Sequence, residues 1–142
     1  LVEQLARGKC LAVSAQHPGA VVIGCDTVVD VNGEVFGKPH SEEDAKRMLR
    51  ALSGATHEVH TGVCISDGAR TESFVDSCRV TFFPLGKEEI DFYASTAEPY
   101  DKAGAYAIQG RAALWLDRIE GDYYTIMGLP VSRTVQLLAH FV

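Results

Sequence analysis

Ala20-Val21-Val22-Ile23-Gly24-Cys25-Asp26-Thr27-Val28-Val29-Asp30-Val31-Asn32-Gly33-Glu34-Val35-Phe36 is the stretch that decides how this chain folds. Ala20 to Val31 is a continuous β-branched run, long for a strand, and is expected to bend near Gly24. Asn32-Gly33 predicts a type I′ hairpin, because both central residues of that turn need positive φ, and Glu34-Val35-Phe36 then returns alongside. Its apolar opening, Ala20 to Ile23, delivers the carboxylate of Asp26 and the hydroxyl of Thr27. Lys38, in Gly37-Lys38-Pro39, waits after the next turn. A strand-borne carboxylate beside a fixed cation suits chemistry on a metal-bound phosphate ester, since it can hold a hard cation or deprotonate a water.

The pattern continues on both sides. Leu1, Val2, Leu5 and Leu11 with Ala6, Ala12 and Ala15 predict an amphipathic helix ending at His17-Pro18-Gly19. Ser41 with Asp44 three residues on predicts a capped helix start, and Ala45, Met48, Leu49 and Leu52 repeat at helical spacing up to Ser53-Gly54. Thr56 to Ile65 alternates like a strand, with Val59, Thr61, Val63 and Ile65 on one face. Asp67-Gly68 turns it into a second strand, Thr71 to Phe83, closed by Pro84. Lys87 to Ala97 is expected to be helical, with Ile90, Phe92 and Tyr93 facing the core. Ala112 to Ile119 and Tyr123 to Met127 read as strands, and Gly128-Leu129-Pro130 opens a last helix, Val131 to Phe141. Helices and strands mixed with hairpins predict an α/β or α+β domain with a mixed sheet.

At 142 residues the chain is long enough to bury a core as one domain, 1–142. A net charge of −6 argues against a broad nucleic-acid or anionic-membrane surface, yet leaves room for a local basic pocket. No apolar run approaches the roughly 18 residues of a membrane helix. Cys10, Cys25, Cys64 and Cys78 have no CxxC spacing and sit in apolar contexts, so reduced buried thiols in a cytoplasmic protein are expected rather than a disulfide frame or zinc site. His17, His40, His57, His60 and His140 show no metal-ligand spacing and are read as structural or surface residues. Phe82 and Trp115 are expected inside.

A second dense cluster runs Glu98-Pro99-Tyr100-Asp101-Lys102-Ala103-Gly104-Ala105-Tyr106-Ala107-Ile108-Gln109-Gly110. Gly104 and Gly110 allow close backbone approach, Lys102 offers a point charge for phosphate, and Gln109 offers a donor and an acceptor for a base edge. Taken with the first cluster, with Leu52-Ser53-Gly54, with His57-x-Val59-x-Thr61-Gly62-Val63, with Ile119-x-Gly121-Asp122-Tyr123 and with Gly128-Leu129-Pro130, the chain resembles the Maf family of nucleoside triphosphate pyrophosphatases along essentially its whole length. The Lys-Ala-Gly-Ala-Tyr-x-Ile-Gln-Gly form resembles the branch that cleaves dTTP and UTP.

That resemblance implies an elongated mixed β-sheet flanked by helices, two lobes around a nucleotide cleft, a homodimer, and a divalent cation, magnesium or manganese. It places Asp26 as general base and metal-side carboxylate, Thr27 and Gln109 at positions choosing the base, and Lys38 on the triphosphate. Lys9 falls near the same cleft, although a glycine, Gly8, precedes it here, and Lys102 is a further charge partner. The family opens with a Ser-x-Ser-Pro-Arg-Arg loop that does not occur here, so the resemblance implies a domain lacking its N-terminal part. The expected reaction is hydrolysis of the α–β anhydride to a monophosphate and pyrophosphate, on dTTP, UTP or modified pyrimidine nucleotides. The alternative is a catalytically impaired nucleotide-binding or cell-division regulatory protein.

Overall fold

A computed structural model describes all of residues 1–142. It is an α/β fold whose five strands are hydrogen-bonded in the order β2-β1-β3-β4-β5. In chain order the elements are α1 (Val2–Ser14), β1 (Val22–Val31), β2 (Glu34–Phe36), α2 (Glu42–Leu52), β3 (Thr56–Ser66), β4 (Thr71–Phe82), α3 (Lys87–Ala94), β5 (Leu116–Glu120), α4 (Tyr123–Met127) and α5 (Val131–Leu138). Short 3-10 turns occupy Glu98–Asp101, Ala103–Ala105 and Arg111–Trp115. The chain divides into two compact units. The first holds Leu1–Thr27, His60–Ser77 and Asp122–Val142, and the second Val28–Val59 and Cys78–Gly121.

In the first unit α1 buries Ala6 and Cys10 against Cys64 of β3, with Val22 of β1 packed on the same cluster. The Cys10 thiol donates to the Val22 carbonyl at 3.3 Å, so a small apolar side chain also ties helix to strand. In the second unit the Asn32-Gly33 hairpin forms as the sequence requires. Asn32 (φ 52°) and Gly33 (φ 89°) take the left-handed turn, and Val31 pairs with Glu34, Asp30 with Val35 and Val29 with Phe36. Ser41 caps α2 by accepting from the Asp44 amide at 3.0 Å, while the Asp44 carboxylate accepts from the His40 amide at 3.0 Å. Ala45, Met48, Leu49 and Leu52 are its buried stripe, as their spacing predicts.

The core of the second unit is aromatic. Phe82 and Trp115 are both buried, as expected, and Phe82 meets Tyr106, His57 and Trp115 edge-on at 4.9, 5.2 and 6.1 Å. His57 is structural, 1% exposed, with Nε2 2.7 Å from the Tyr106 hydroxyl and Nδ1 buried without a partner. Burial disfavours its imidazolium and lowers its pKa from 6.5 to about 4. Between those two values the unfolded chain takes up a proton that the folded one refuses. Stability therefore falls as pH drops from 6.5 towards 4, by up to about 3 kcal/mol, and His57 contributes no pH dependence above that window. Thermal melts between pH 7.5 and 4.5 check this: the acid-side fall becomes shallower in His57→Phe, and parallel curves for the two proteins would contradict it.

Several expectations need correction; the last helix, for one, stops at Leu138, three residues before Phe141. Tyr123–Met127 is a short helix, not a strand: Asp122 accepts from the Tyr124 amide at 2.9 Å and Gly128 ends the helix at φ 115°. Its aromatic and β-branched composition imitates a strand, but end caps outweigh composition over so few residues. Of Ala112 to Ile119 only Leu116 onward is strand, since Arg111–Trp115 coils into a 3-10 turn. Helix α3 stops at Ala94, three residues before Ala97. Phe92 is 51% exposed instead of core, because Ile90, Tyr93 and Ala94 already define the buried helical face, and the Arg111 guanidinium covers its ring at 4.6 Å.

Candidate active site

Asp26 lies in β1 within the first unit, and the position of α1 decides what faces it. Two glycines let the helix backbone lie directly on the strands. A Cβ added at Gly24 of β1 would stand 2.8 Å from the Ala6 carbonyl oxygen and from the Cys10 amide nitrogen. One added at Gly62 of β3 would stand 2.5 Å from the Val2 carbonyl oxygen. With α1 seated there, the Lys9 ammonium reaches Asp26 Oδ1 at 2.5 Å and the Cys25 carbonyl at 3.5 Å. The side chains are 59% and 20% exposed, so the pair adds at most about 1 kcal/mol to stability. Its consequence is orientation: one carboxylate oxygen is fixed by a cation. The neighbouring Cys25 is half-buried, and burial pushes its thiol up in pKa, so it stays neutral near physiological pH.

Thr27 follows. Its hydroxyl is 2.8 Å from that of Thr61 on β3, and Thr61 donates to the Thr125 carbonyl at 2.8 Å. Gly128 lies beside it: a Cβ there would stand 3.6 Å from Thr27 Oγ1.

Lys38, Lys102 and Gln109 belong to the second unit. The Gly37 carbonyl accepts from the Gly104 amide at 3.1 Å, tying the Gly37-Lys38-Pro39 turn to the Lys102-Ala103-Gly104 loop. Asp101 joins the two lysines electrostatically. Its carboxyl is held below the usual range, first by the hydrogen bond from Lys102 (3.1 Å) and by that charge, and also by the charge of Lys38. Gly104 has φ 77°, and a Cβ on it would stand 2.8 Å from Val29 of β1, so both conformation and packing call for glycine.

Gln109 is exposed on a loop held by Glu98. The Tyr93 hydroxyl donates to the Glu98 carboxylate at 2.5 Å and accepts from the Ala107 amide at 3.1 Å, while the Arg111 amide donates to Glu98 at 3.3 Å. A side chain at Gly110 would overlap that carboxylate. Glu98 and Tyr93 thus fix the backbone on both sides of Gln109, a role that sequence reading did not give them. The available signal was Glu98 itself, an acidic residue opening a glycine-rich loop whose backbone amides need acceptors.

No group of three or more His, Cys, Asp or Glu side chains converges into an all-protein metal cage. Asp26 is the oxygen donor beside Lys9. Magnesium-like cations suit such a site, because they are commonly held by one or two carboxylates with phosphate oxygens and water completing the shell. No helix is long and apolar enough to cross a membrane.

Comparison with known proteins converges on one family. The family model described as Maf-like protein matches residues 1–141. A dTTP/UTP pyrophosphatase of Bacillus velezensis is 51% identical over 140 residues, covering 99% of this chain and 74% of that protein. A protein of the same name from Symbiobacterium thermophilum is 51% identical over 141 residues, covering 99% of this chain and 73% of its own. A third, from Bacillus mycoides, is 47% identical over 141 residues. The chain thus spans about three quarters of the length of these relatives. With a matching profile end to end and relatives at half identity, the chain belongs to the Maf family.

Proposed function

We propose that this chain hydrolyses dTTP and UTP at the α–β anhydride, releasing the nucleoside monophosphate and pyrophosphate. The observation that carries this reading is the Asp26 carboxylate, set in β1 with one oxygen held by Lys9, in a chain half identical to proteins named dTTP/UTP pyrophosphatase. Asp26 orients the attacking water and takes its proton while Lys9 keeps the carboxylate from rotating. Lys38 and Lys102 carry positive charge for the phosphate oxygens, with Asp101 limiting the mutual repulsion of the two ammonium groups. Asp26 is also the residue of this chain that would hold a divalent cation, magnesium or manganese. When bound, such an ion offsets the charge that builds on the leaving pyrophosphate. Thr27 and Gln109 read the pyrimidine by hydrogen bonds. A cytoplasmic homodimer completes the proposal.

A steady-state panel of dTTP, UTP, CTP and 7-methyl-GTP with magnesium, followed by pyrophosphate release, tests it. Cleavage of dTTP and UTP ahead of the other two is the expected result. Release of orthophosphate in place of pyrophosphate, or preference for 7-methyl-GTP, would overturn it. Light scattering of the same sample checks the dimer.

A further inference from the structure

The hydroxyl of Thr27 has a direction that its neighbours impose. A hydroxyl owns one proton and two lone pairs, whereas a carbonyl oxygen only accepts. Thr61 is fully buried, and its single proton goes to the Thr125 carbonyl at 2.8 Å. The 2.8 Å contact between Thr27 and Thr61 can then be a hydrogen bond only if Thr27 donates. Thr27 has spent its proton inward, and what it presents outward is lone pairs.

The far end of this relay is rigid. Thr125 is itself fully buried, its hydroxyl donates to Asp76 Oδ2 at 2.5 Å, and Arg133 holds Asp76 Oδ1 at 2.6 Å. The Thr125 carbonyl also receives the Gly128 amide at 3.2 Å. Reversing the relay would turn the Thr61 proton towards Thr27 and take from that buried carbonyl its shorter partner, a loss that burial makes unfavourable.

We infer that Thr61 is a positioning residue that, by taking the Thr27 proton, leaves Thr27 only lone pairs to offer a ligand, and that this polarity selects a base carrying a ring N–H over one carrying a bare ring nitrogen. Uracil and thymine share one donor on their pairing edge, N3–H, between two carbonyl acceptors. Cytosine has an unprotonated N3 at the same place. An acceptor hydroxyl pairs with the first and sets lone pair against lone pair with the second. The inference rests on the proposed pyrimidine triphosphatase activity and adds how that site distinguishes its bases.

The test is the ratio of kcat/KM for UTP to that for CTP in wild type, Thr61→Val and Thr61→Ser. Because both substrates are measured on one sample, the ratio is insensitive to how much protein is folded. In Thr61→Val the Thr27 hydroxyl is free to turn its proton outward, and the ratio narrows about 10-fold or more. Thr61→Ser keeps the relay and retains the wild-type ratio. Thr61→Ala, which cannot overfill the site, gives the same readout as valine should the valine variant not fold. A wild type that cleaves UTP, with a ratio unchanged in Thr61→Val or Thr61→Ala, overturns this inference alone. A wild type that cleaves neither dTTP nor UTP overturns the functional reading and this inference with it.

Discussion

Asp26→Asn is expected to lower kcat for dTTP and UTP by about 10³-fold, within the range for loss of a positioned general base, while leaving KM nearly unchanged. Asparagine keeps the shape of the side chain and can still accept a hydrogen bond from Lys9, but it cannot take a proton from water. The fold should not register the change. The Lys9–Asp26 pair is half in solvent, at 59% and 20% exposure, so its loss costs about 1 kcal/mol at most and moves the melting midpoint by no more than ~4 °C. Paired measurements of kcat and thermal midpoint separate the two roles. Wild-type turnover in Asp26→Asn would remove the assigned base, and a collapse of the midpoint would make Asp26 a structural residue instead.

What the sequence disclosed follows from the range of each interaction. Hairpin and cap signals are local, so Asn32-Gly33, Ser41 with Asp44, and the stripe Ala45, Met48, Leu49 and Leu52 are legible from a few neighbouring residues. Tyr123–Met127 shows the limit of local reading: its composition favours a strand while its caps, Asp122 and Gly128, favour a helix, and the caps prevail. The nearness of Lys9 to Asp26 was not legible from spacing, because it depends on how closely α1 lies on the strands, which Gly24 and Gly62 set. The polarity of Thr27 was equally hidden. It is fixed by Thr61 and the carbonyl of Thr125, distant in sequence and joined only by the fold.

Gly24→Ala carries the second large effect. Its added methyl would lie 2.8 Å from the Ala6 carbonyl oxygen, 2.8 Å from the Cys10 amide nitrogen and 2.9 Å from Cys10 Cβ. Two of these are backbone atoms in the middle of α1 and cannot swing aside as the tip of a side chain would, so the helix itself must move. Overpacking of this kind costs about 3 kcal/mol. The same displacement carries Lys9 away from Asp26, and a misplacement on the order of 1 Å near the chemistry can lower turnover about 10²-fold. Thermal midpoint and kcat should therefore fall together, unlike the pattern for Asp26→Asn. Gly8→Ala is the control. It lies on the exposed side of the same helix with nothing within 4 Å of an added methyl, so it should raise stability by about 0.5–1 kcal/mol and leave kcat in place. If Gly24→Ala matches Gly8→Ala in both measurements, the close approach of α1 to β1 does not set the geometry of Asp26. If only Gly24→Ala loses activity, the helix-to-strand distance is what holds Lys9 on the carboxylate.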